Sequence, residues 1–425
     1  MSDLTPAEED LPLMISVDDH VMEPKTLWQE QLPPSLRDRG PRVVQERVRL
    51  KFEGGHYGFE RNDPDGQMCD VWIYEDSVTP TGFLHGPAGV PREEQRNVAA
   101  VYEDLRPGTW NQTDRLSDMD LNHVEAAINY PNIFPRFCGQ GFLERDDKDL
   151  AFECLKIYND WIIDDWGGGA GKGRLIPLTL VPLWDPQMAA DEVRRCAAKG
   201  SYAIAFSENP SKLGCATMYS GDWDVLWQAC EEADVTVSMH IGSSSSMPTT
   251  SDDAPLATSM SLYAQNAEGS FVDWVFSGTL QRFPSLKVAY AESQVGWMPF
   301  QMERMDSVFR EGRGGVGGSG PLPSEIARGR VFGCIFDDLV GLKQRRRRHR
   351  RDPVRTGLPA SDGTFPHSQG RPLDVAGHGM VPRSAQGAAH ERRRAGSTTA
   401  SPPDHRTTPI PNWQSRVVES AFRLY

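Results

Sequence analysis

The chain has 425 residues, of which 24% are charged and 38% hydrophobic, so it is long enough for one large domain or two ordinary ones. Its formal net charge is −14, but residues 343–425 hold 16 basic and 6 acidic side chains, whereas residues 1–342 hold 29 basic and 53 acidic ones. The acidic body argues against nucleic-acid binding, and a membrane helix is not expected because no apolar run approaches roughly 18–20 residues.

Short apolar runs alternate with amphipathic segments along most of the chain. The runs predict seven strands, at Leu13–Val17, Val124–Tyr130, Leu175–Leu183, Tyr202–Phe206, Val235–Met239, Leu286–Tyr290 and Val331–Phe336. The amphipathic segments predict five helices, at Asp147–Trp166, Asp185–Lys199, Asp222–Ala233, Tyr263–Phe283 and Trp297–Phe309. Residues 24–115 are rich in proline and charge, which predicts an irregular insert with short strand-like pieces such as Val71–Tyr74.

This alternation predicts an α/β domain over residues 11–342, with a parallel sheet covered by helices. No Gly-x-Gly-x-x-Gly motif follows the first strand, so we expect a (β/α)8 TIM-type barrel rather than an open dinucleotide-binding sheet. In such barrels the reactive side chains lie where the strands end.

Polar residues follow several of these runs directly. Asp18 and His20 follow the first run, His240 follows the fifth and Glu292 follows the sixth. Two imidazoles and two carboxylates at one barrel mouth form a ligand set for a divalent metal, which would acidify bound water and polarise a substrate carbonyl or carboxylate.

Each of these signals has a structural alternative. A single histidine at a strand end, such as His240, is commonly a surface or capping residue, and Asp18 could cap a turn. Glu292 is harder to explain structurally, because a carboxylate after a buried strand needs a partner. Asp337 and Asp338, after the seventh run, are candidate pocket residues that could equally cap the next loop.

The remaining candidates concern the pocket and the cellular compartment. His85 in the insert is a further candidate pocket residue. The seven cysteines are odd in number and form no CxxC pair, which indicates reduced thiols in a cytoplasmic protein. The acidic segment 1–10 does not follow the pattern of a signal peptide.

Several segments together resemble the amidohydrolase-related family, the metal-dependent barrel family that includes aminocarboxymuconate-semialdehyde decarboxylase. The resemblance covers about residues 11–342. It rests on the segments Ile15–Pro24, Arg115–Asp120, Tyr158–Trp161, Leu178–Pro186, Met239–Gly242 and Leu280–Lys287.

The resemblance implies one divalent metal, usually zinc or manganese, at the C-terminal mouth of a (β/α)8 barrel. The family's first-strand His-x-His motif or its acidic variant matches Asp18-x-His20, and its fifth-strand histidine matches His240. Glu292 stands where many members have a sixth-strand histidine. The family's known reactions are hydrolysis and non-oxidative decarboxylation, and the resemblance implies either of them.

The eighth strand departs from the family pattern. Members of this branch have Glu-Thr-Asp-Tyr-Pro-His there, and the resemblance implies that its aspartate is a metal ligand and the catalytic acid or base. This chain has Arg355–Ala360 instead, which places Gly357 at the position of the aspartate. The codons GAC TAC CCG CAC, read one base early after a G, give Gly-Leu-Pro-Ala, which is the sequence of residues 357–360. We therefore interpret residues 343–415 as a disordered or out-of-frame segment that disrupts the eighth strand, and residues 416–425 as a remnant of the closing helix.

A basic tail that binds nucleic acid is the alternative interpretation of Arg345–Arg351. This run has no interleaved aromatic residues, and the acidic body would repel phosphate. We expect a small-molecule substrate and neither a nucleic-acid nor a membrane partner, with a homo-oligomer or an active paralogue as candidate assemblies.

The sequence thus predicts a metal-dependent hydrolase or carboxy-lyase for a small carboxylate or carbonyl compound. Asp18, His20, His240 and Glu292 are the candidate ligands, and His240 and Glu292 are the candidate catalytic residues. The alternative, which Gly357 raises, is a catalytically inactive paralogue that acts as a partner subunit.

Resequencing the gene across codons 343–415 tests the reading-frame hypothesis. We expect base insertions or deletions that restore the aspartate at position 357. An uninterrupted frame that agrees with the printed sequence would contradict it.

Overall fold

The computed structural model of the protein describes residues 14–53, 56–88, 90, 94–122, 124–313, 320–334 and 338–341. The predictions for Asp337, Gly357, the segments 343–415 and 416–425 and the eighth strand lie outside this range, and so do the two ends of the predicted domain 11–342.

Among the described residues, seven parallel strands lie side by side in the order in which they occur in the chain. They are β1 (Met14–Val21), β6 (Val124–Pro131), β7 (Leu175–Pro177), β8 (Ala203–Phe206), β9 (Thr236–His240), β10 (Val288–Ala291) and β11 (Val331–Gly333). Each pairs in parallel with the next, except that β7 and β8 are linked by a single bridge between Thr179 and Ile204. The parallel α/β architecture is confirmed for the described residues, and barrel closure would need the chain beyond them.

Eleven α-helices are present in the described part of the chain. They are α1 (Leu27–Gln31), α2 (Gln112–Leu121), α3 (Gln140–Leu143), α4 (Lys148–Trp161), α5 (Pro186–Ala198), α6 (Asp224–Glu232), α7 (Leu256–Leu262), α8 (Ala264–Phe276), α9 (Thr279–Arg282), α10 (Met298–Arg310) and α11 (Pro323–Ala327). Two helices start at aspartates because these side chains accept backbone N–H groups: Asp147 caps α4 and Asp185 caps α5.

Two predicted elements were wrong in extent. The single helix Tyr263–Phe283 is divided into α8 and α9, because Gly278 adopts a left-handed φ of +76° between them. The strand Leu175–Leu183 ends at Pro177, which has no N–H to continue a ladder.

The insert over residues 24–115 was predicted to be irregular with short strand-like pieces. The strand-like piece Val71–Tyr74 is confirmed, whereas the irregular character is wrong for much of the insert. It contains β2 (Arg42–Glu53), β3 (His56–Arg61), β4 (Gln67–Tyr74) and β5 (Ser77–Pro80), which form an antiparallel sheet in the order β3-β2-β4-β5. One face of such a sheet can meet solvent, so charged residues interrupt its hydrophobic pattern. The sheet has its own small core of Val48, Cys69, Val71 and Ala99.

The contacts between the insert and the barrel include a buried hydrogen bond and an aromatic stack. The hydroxyl group of Tyr102 donates to the carbonyl of Glu23, which follows β1 (2.9 Å). Trp72 of β4 stacks on Phe134, which follows β6, with ring centroids 6.1 Å apart. These contacts hold the insert beside the ends of the first two barrel strands.

All seven cysteines are free thiols, and six of them are buried. This agrees with the predicted reduced state. Within the described ranges, no helix combines the length and apolarity that crossing a membrane requires.

A Gly278→Ala variant should lose about 1–2 kcal/mol of unfolding free energy, because a left-handed conformation costs that much for an L-residue. Gly269→Ala in α8 is the control, since its added methyl group meets nothing within 4 Å and should be neutral or stabilising. Chemical denaturation measures both, and equal stabilities would contradict the assignment.

Candidate metal centre

The first barrel strand presents Asp18 and His20 at its carboxyl end. The pairing of β1 with β6 shifts by one residue between Ser16 and Asp19, which marks a bulge around Asp18. Both Asp18 and His20 are buried.

Asp19, between them, has a different environment. It accepts hydrogen bonds from Ser16 Oγ (2.5 Å) and Arg115 Nη1 (3.1 Å). Arg115 also donates to the carbonyl of His20 (2.6 Å). Arg115, which lies in one of the segments that resemble the family, therefore fixes the backbone from which both candidate ligands extend.

The fifth and sixth barrel strands supply the other two predicted residues. His240 is the last residue of β9 and is 3% exposed. Glu292 follows β10 directly and has a φ of +56°, a strained value for a residue with a side chain. Its N–H group donates to Sγ of Cys334 (2.9 Å), which stabilises this turn.

The structure brings all four predicted residues together. Nε2 of His240 lies 3.1 Å from Nε2 of His20, 3.2 Å from Oδ1 of Asp18 and 3.3 Å from Oε2 of Glu292. Asp18, His20 and His240 each offer a ligand atom within 4.8 Å of the others. Carboxylate and imidazole groups from three different strands thus converge on one point.

The surroundings of the two imidazoles change their pKa values in opposite directions. Burial and the neighbouring His240 lower the pKa of His20 to about 3. Burial also opposes protonation of His240, but the carboxylates of Asp18 and Glu292 outweigh it and raise its pKa to about 9. A single positive charge between these groups is therefore favourable.

These residues fit a divalent metal. Oδ1 of Asp18 is fully buried, and Nε2 of His240 lies 3.2 Å away without the alignment of a normal hydrogen bond. A buried carboxylate oxygen in this position favours a cation beside it. Nδ1 of His240 donates to the carbonyl of Ile241 (2.6 Å), which leaves Nε2 as the ligand atom. Two nitrogen atoms and one oxygen atom are a donor set suited to zinc or manganese.

An aromatic ring forms one wall of this centre. Phe137 stacks on His240 with centroids 4.3 Å apart and an interplanar angle of 5°. A Cβ atom at Gly242 would lie 3.1 Å from the Phe137 ring, and Gly242 has a φ of +80°. Glycine at position 242 therefore allows the ring to approach the histidine.

The predicted pocket residues have other contacts. Asp338 accepts the N–H groups of Val295 (2.9 Å), Gly296 (2.6 Å) and Gly341 (2.7 Å), which corresponds to the capping alternative. Nδ1 of His85 accepts the N–H group of Gly82 (2.9 Å), and burial lowers the pKa of this histidine to about 4. The pocket role of these two residues stays a prediction.

Sequence reasoning missed two buried carboxylates near the strand ends. Glu23 follows β1, is fully buried and accepts the N–H group of Asn132 (3.1 Å), and burial raises its pKa to about 7. Glu208 follows β8 and is 2% exposed. The signal for Glu208 was available, because Ser207-Glu208 ends a predicted strand as His240 and Glu292 do.

The amidohydrolase family model matches residues 63–315, which is more than half of the chain and includes His240 and Glu292. The chain belongs to the amidohydrolase family. The predicted resemblance is thereby confirmed, and the fold of this family is a TIM barrel.

Solved structures show the same fold. The chain is similar to an amidohydrolase from Mycobacterium avium subsp. paratuberculosis K-10, with a TM-score of 0.60 and 18% identity over 86% of this chain and 93% of that one. It is also similar to 5-carboxyvanillate decarboxylase from Novosphingobium aromaticivorans DSM 12444, with a TM-score of 0.53 and 13% identity over 90% and 97% of the two chains. That decarboxylase was crystallised with manganese and 4-hydroxy-3-methoxy-5-nitrobenzoic acid.

The purified protein should bind about one Zn²⁺ or Mn²⁺ ion per chain. We expect His20→Asn and His240→Asn each to weaken binding by about 100-fold or more, because removing a ligand exceeds the roughly 10- to 100-fold effect of removing a ligand's outer partner. Chelator competition measures the affinity.

His85→Asn is the matched control for these variants, because this histidine is not part of the cluster. It should retain the metal affinity of the unchanged protein. Equal affinities for all three variants would contradict the assignment of the centre.

Proposed function

We propose that the protein is a mononuclear metal-dependent enzyme that hydrolyses or non-oxidatively decarboxylates a small carboxylate or carbonyl compound. The observation that supports it most is the convergence of Asp18, His20 and His240 with Glu292 beside them. The family supports a metal-dependent hydrolase or decarboxylase kind of function.

Three residues would hold the metal. Asp18, His20 and His240 are nearly inaccessible to solvent, with exposed fractions of 0%, 8% and 3%. When bound, the metal would polarise a carboxylate or carbonyl oxygen of the substrate and lower the pKa of a water molecule.

Glu292 would act as the general base or acid, or as a further ligand. Its side chain is 14% exposed, more than that of His240 or Asp18, so a substrate that arrives from solvent would reach it more easily than the ligands. Its strained φ places Oε2 3.3 Å from Nε2 of His240, at the edge of the ligand cluster. A carboxylate at this position can take a proton from a nucleophile or return one to a carbanion.

Aromatic side chains set the polarity around the reacting atoms. Phe137 and Tyr130 contact the His240 ring, with centroids 4.3 Å and 5.1 Å away. Such apolar walls exclude water, which strengthens the interaction of the ligands and of Glu292 with a charged substrate.

Turnover should require both the metal and Glu292. We expect metal-loaded protein to release CO2 from an aromatic carboxylate, with a proton replacing the lost carboxyl group, or to hydrolyse an ester, lactone or amide in a parallel screen. Glu292→Gln should lower kcat by about 10²- to 10⁴-fold, the usual contribution of a general acid or base. Glu303→Gln, an exposed glutamate on α10, is the control and should leave kcat unchanged.

Metal content separates the two roles of Glu292. A Glu292→Gln protein that keeps one metal ion identifies a base, whereas loss of the metal identifies a ligand. Metal-free wild-type protein that copurifies with an active relative would contradict the proposal and favour the inactive partner subunit.

A further inference from the structure

Glu208 lies next to the loop that follows the fifth barrel strand. Its Oε1 accepts three hydrogen bonds, from the N–H group of Gly242 (3.1 Å), Oγ of Ser244 (2.9 Å) and Nδ2 of Asn266 (3.0 Å). Its own N–H group donates to Oγ of Ser243 (2.9 Å). Glu208 thus holds three successive residues of this loop, two through its carboxylate and one through its N–H group.

One of these contacts falls on the peptide unit that orients His240. Nδ1 of His240 donates to the carbonyl of Ile241 (2.6 Å), and the N–H group of Gly242 belongs to the same peptide unit. A trans peptide unit is planar, and its C=O and N–H groups point in opposite directions. Glu208 and His240 are therefore connected through one amide, which accepts from the imidazole and donates to the carboxylate.

We propose that Glu208 is a positioning residue for the metal ligand His240, and that it acts through the Ile241–Gly242 peptide unit. Hydrogen bonds in series polarise one another, so the carboxylate strengthens the Ile241 carbonyl as an acceptor. A stronger acceptor holds the proton on Nδ1 and makes Nε2 a better ligand, as a carboxylate does when it contacts a metal-bound histidine directly.

A purely local role for Glu208 makes a different prediction. If Glu208 only anchored the loop, its replacement would lower stability without changing the electronic state of His240. Glu192 offers a matched comparison, because it is equally buried, at 2% exposed, and accepts hydrogen bonds from Asn159 and Arg195 on the helical side of the barrel.

The test compares Glu208→Ala, Glu208→Gln and Glu192→Gln in the full chain. We expect Glu208→Ala to weaken Mn²⁺ and Zn²⁺ binding about 10- to 100-fold, the usual effect of removing a ligand's outer partner. Glu208→Gln keeps an oxygen acceptor and should lose less than about tenfold. Glu192→Gln should change thermal stability but not the metal dissociation constant.

The second readout is the Nδ1–H resonance of His240 in metal-free protein with ¹⁵N-labelled histidine. This resonance should move upfield, and its proton should exchange faster with water, in Glu208→Ala. The same changes should be smaller in Glu208→Gln, and this second variant provides the test if the alanine variant does not fold. Unchanged dissociation constants and an unchanged resonance in both variants would overturn the inference.

This inference rests on the proposed function, since it takes His240 as a metal ligand. The metal centre and the positioning role of Glu208 can be refuted independently of each other. Wild-type protein without metal affinity would refute the metal centre and with it the ligand role of His240, whereas normal metal binding with an unresponsive resonance would refute the role of Glu208 alone.

Discussion

Two imidazole nitrogen atoms 3.1 Å apart, inside a buried cluster with two carboxylates, are the constraint on which the described architecture depends. Burial disfavours every charge, and two acceptor nitrogens at this distance repel each other unless a proton or a metal ion lies beside them. The pKa of His20 is lowered and that of His240 is raised, so the cluster favours one positive charge rather than two. A proton on His240 supplies one positive charge, and a divalent metal would interact favourably with all three ligand groups at once.

Several local features of the fold hold the two histidines and the two carboxylates in this unfavourable arrangement. The bulge in β1 and the ion pair between Arg115 and Asp19 fix the first two ligands. A left-handed turn directs Glu292 toward His240, and glycine at position 242 admits the Phe137 ring. Such strain is tolerated because the surrounding strands and the core determine the conformation.

The site was more predictable from the sequence than parts of the fold. Asp18, His20, His240 and Glu292 each follow an apolar run, and parallel strands bring their carboxyl ends to the same edge, so their convergence follows from topology. Most of the sheet β2–β5 was not predictable in this way, because charged side chains on its solvated face obscure the alternation, and only the piece Val71–Tyr74 of β4 was recognised. The contacts of Glu208 are hydrogen bonds to loop residues distant in sequence. No periodic pattern in the sequence predicts such contacts.

The central claim is that Asp18, His20 and His240 are ligands of one metal ion, and a crystal structure of the manganese-loaded protein tests it most directly. Anomalous diffraction at the manganese edge should locate one manganese ion, bonded to Nε2 of both histidines and to the Asp18 carboxylate. A peak elsewhere, or no peak at full metal loading, would contradict the account.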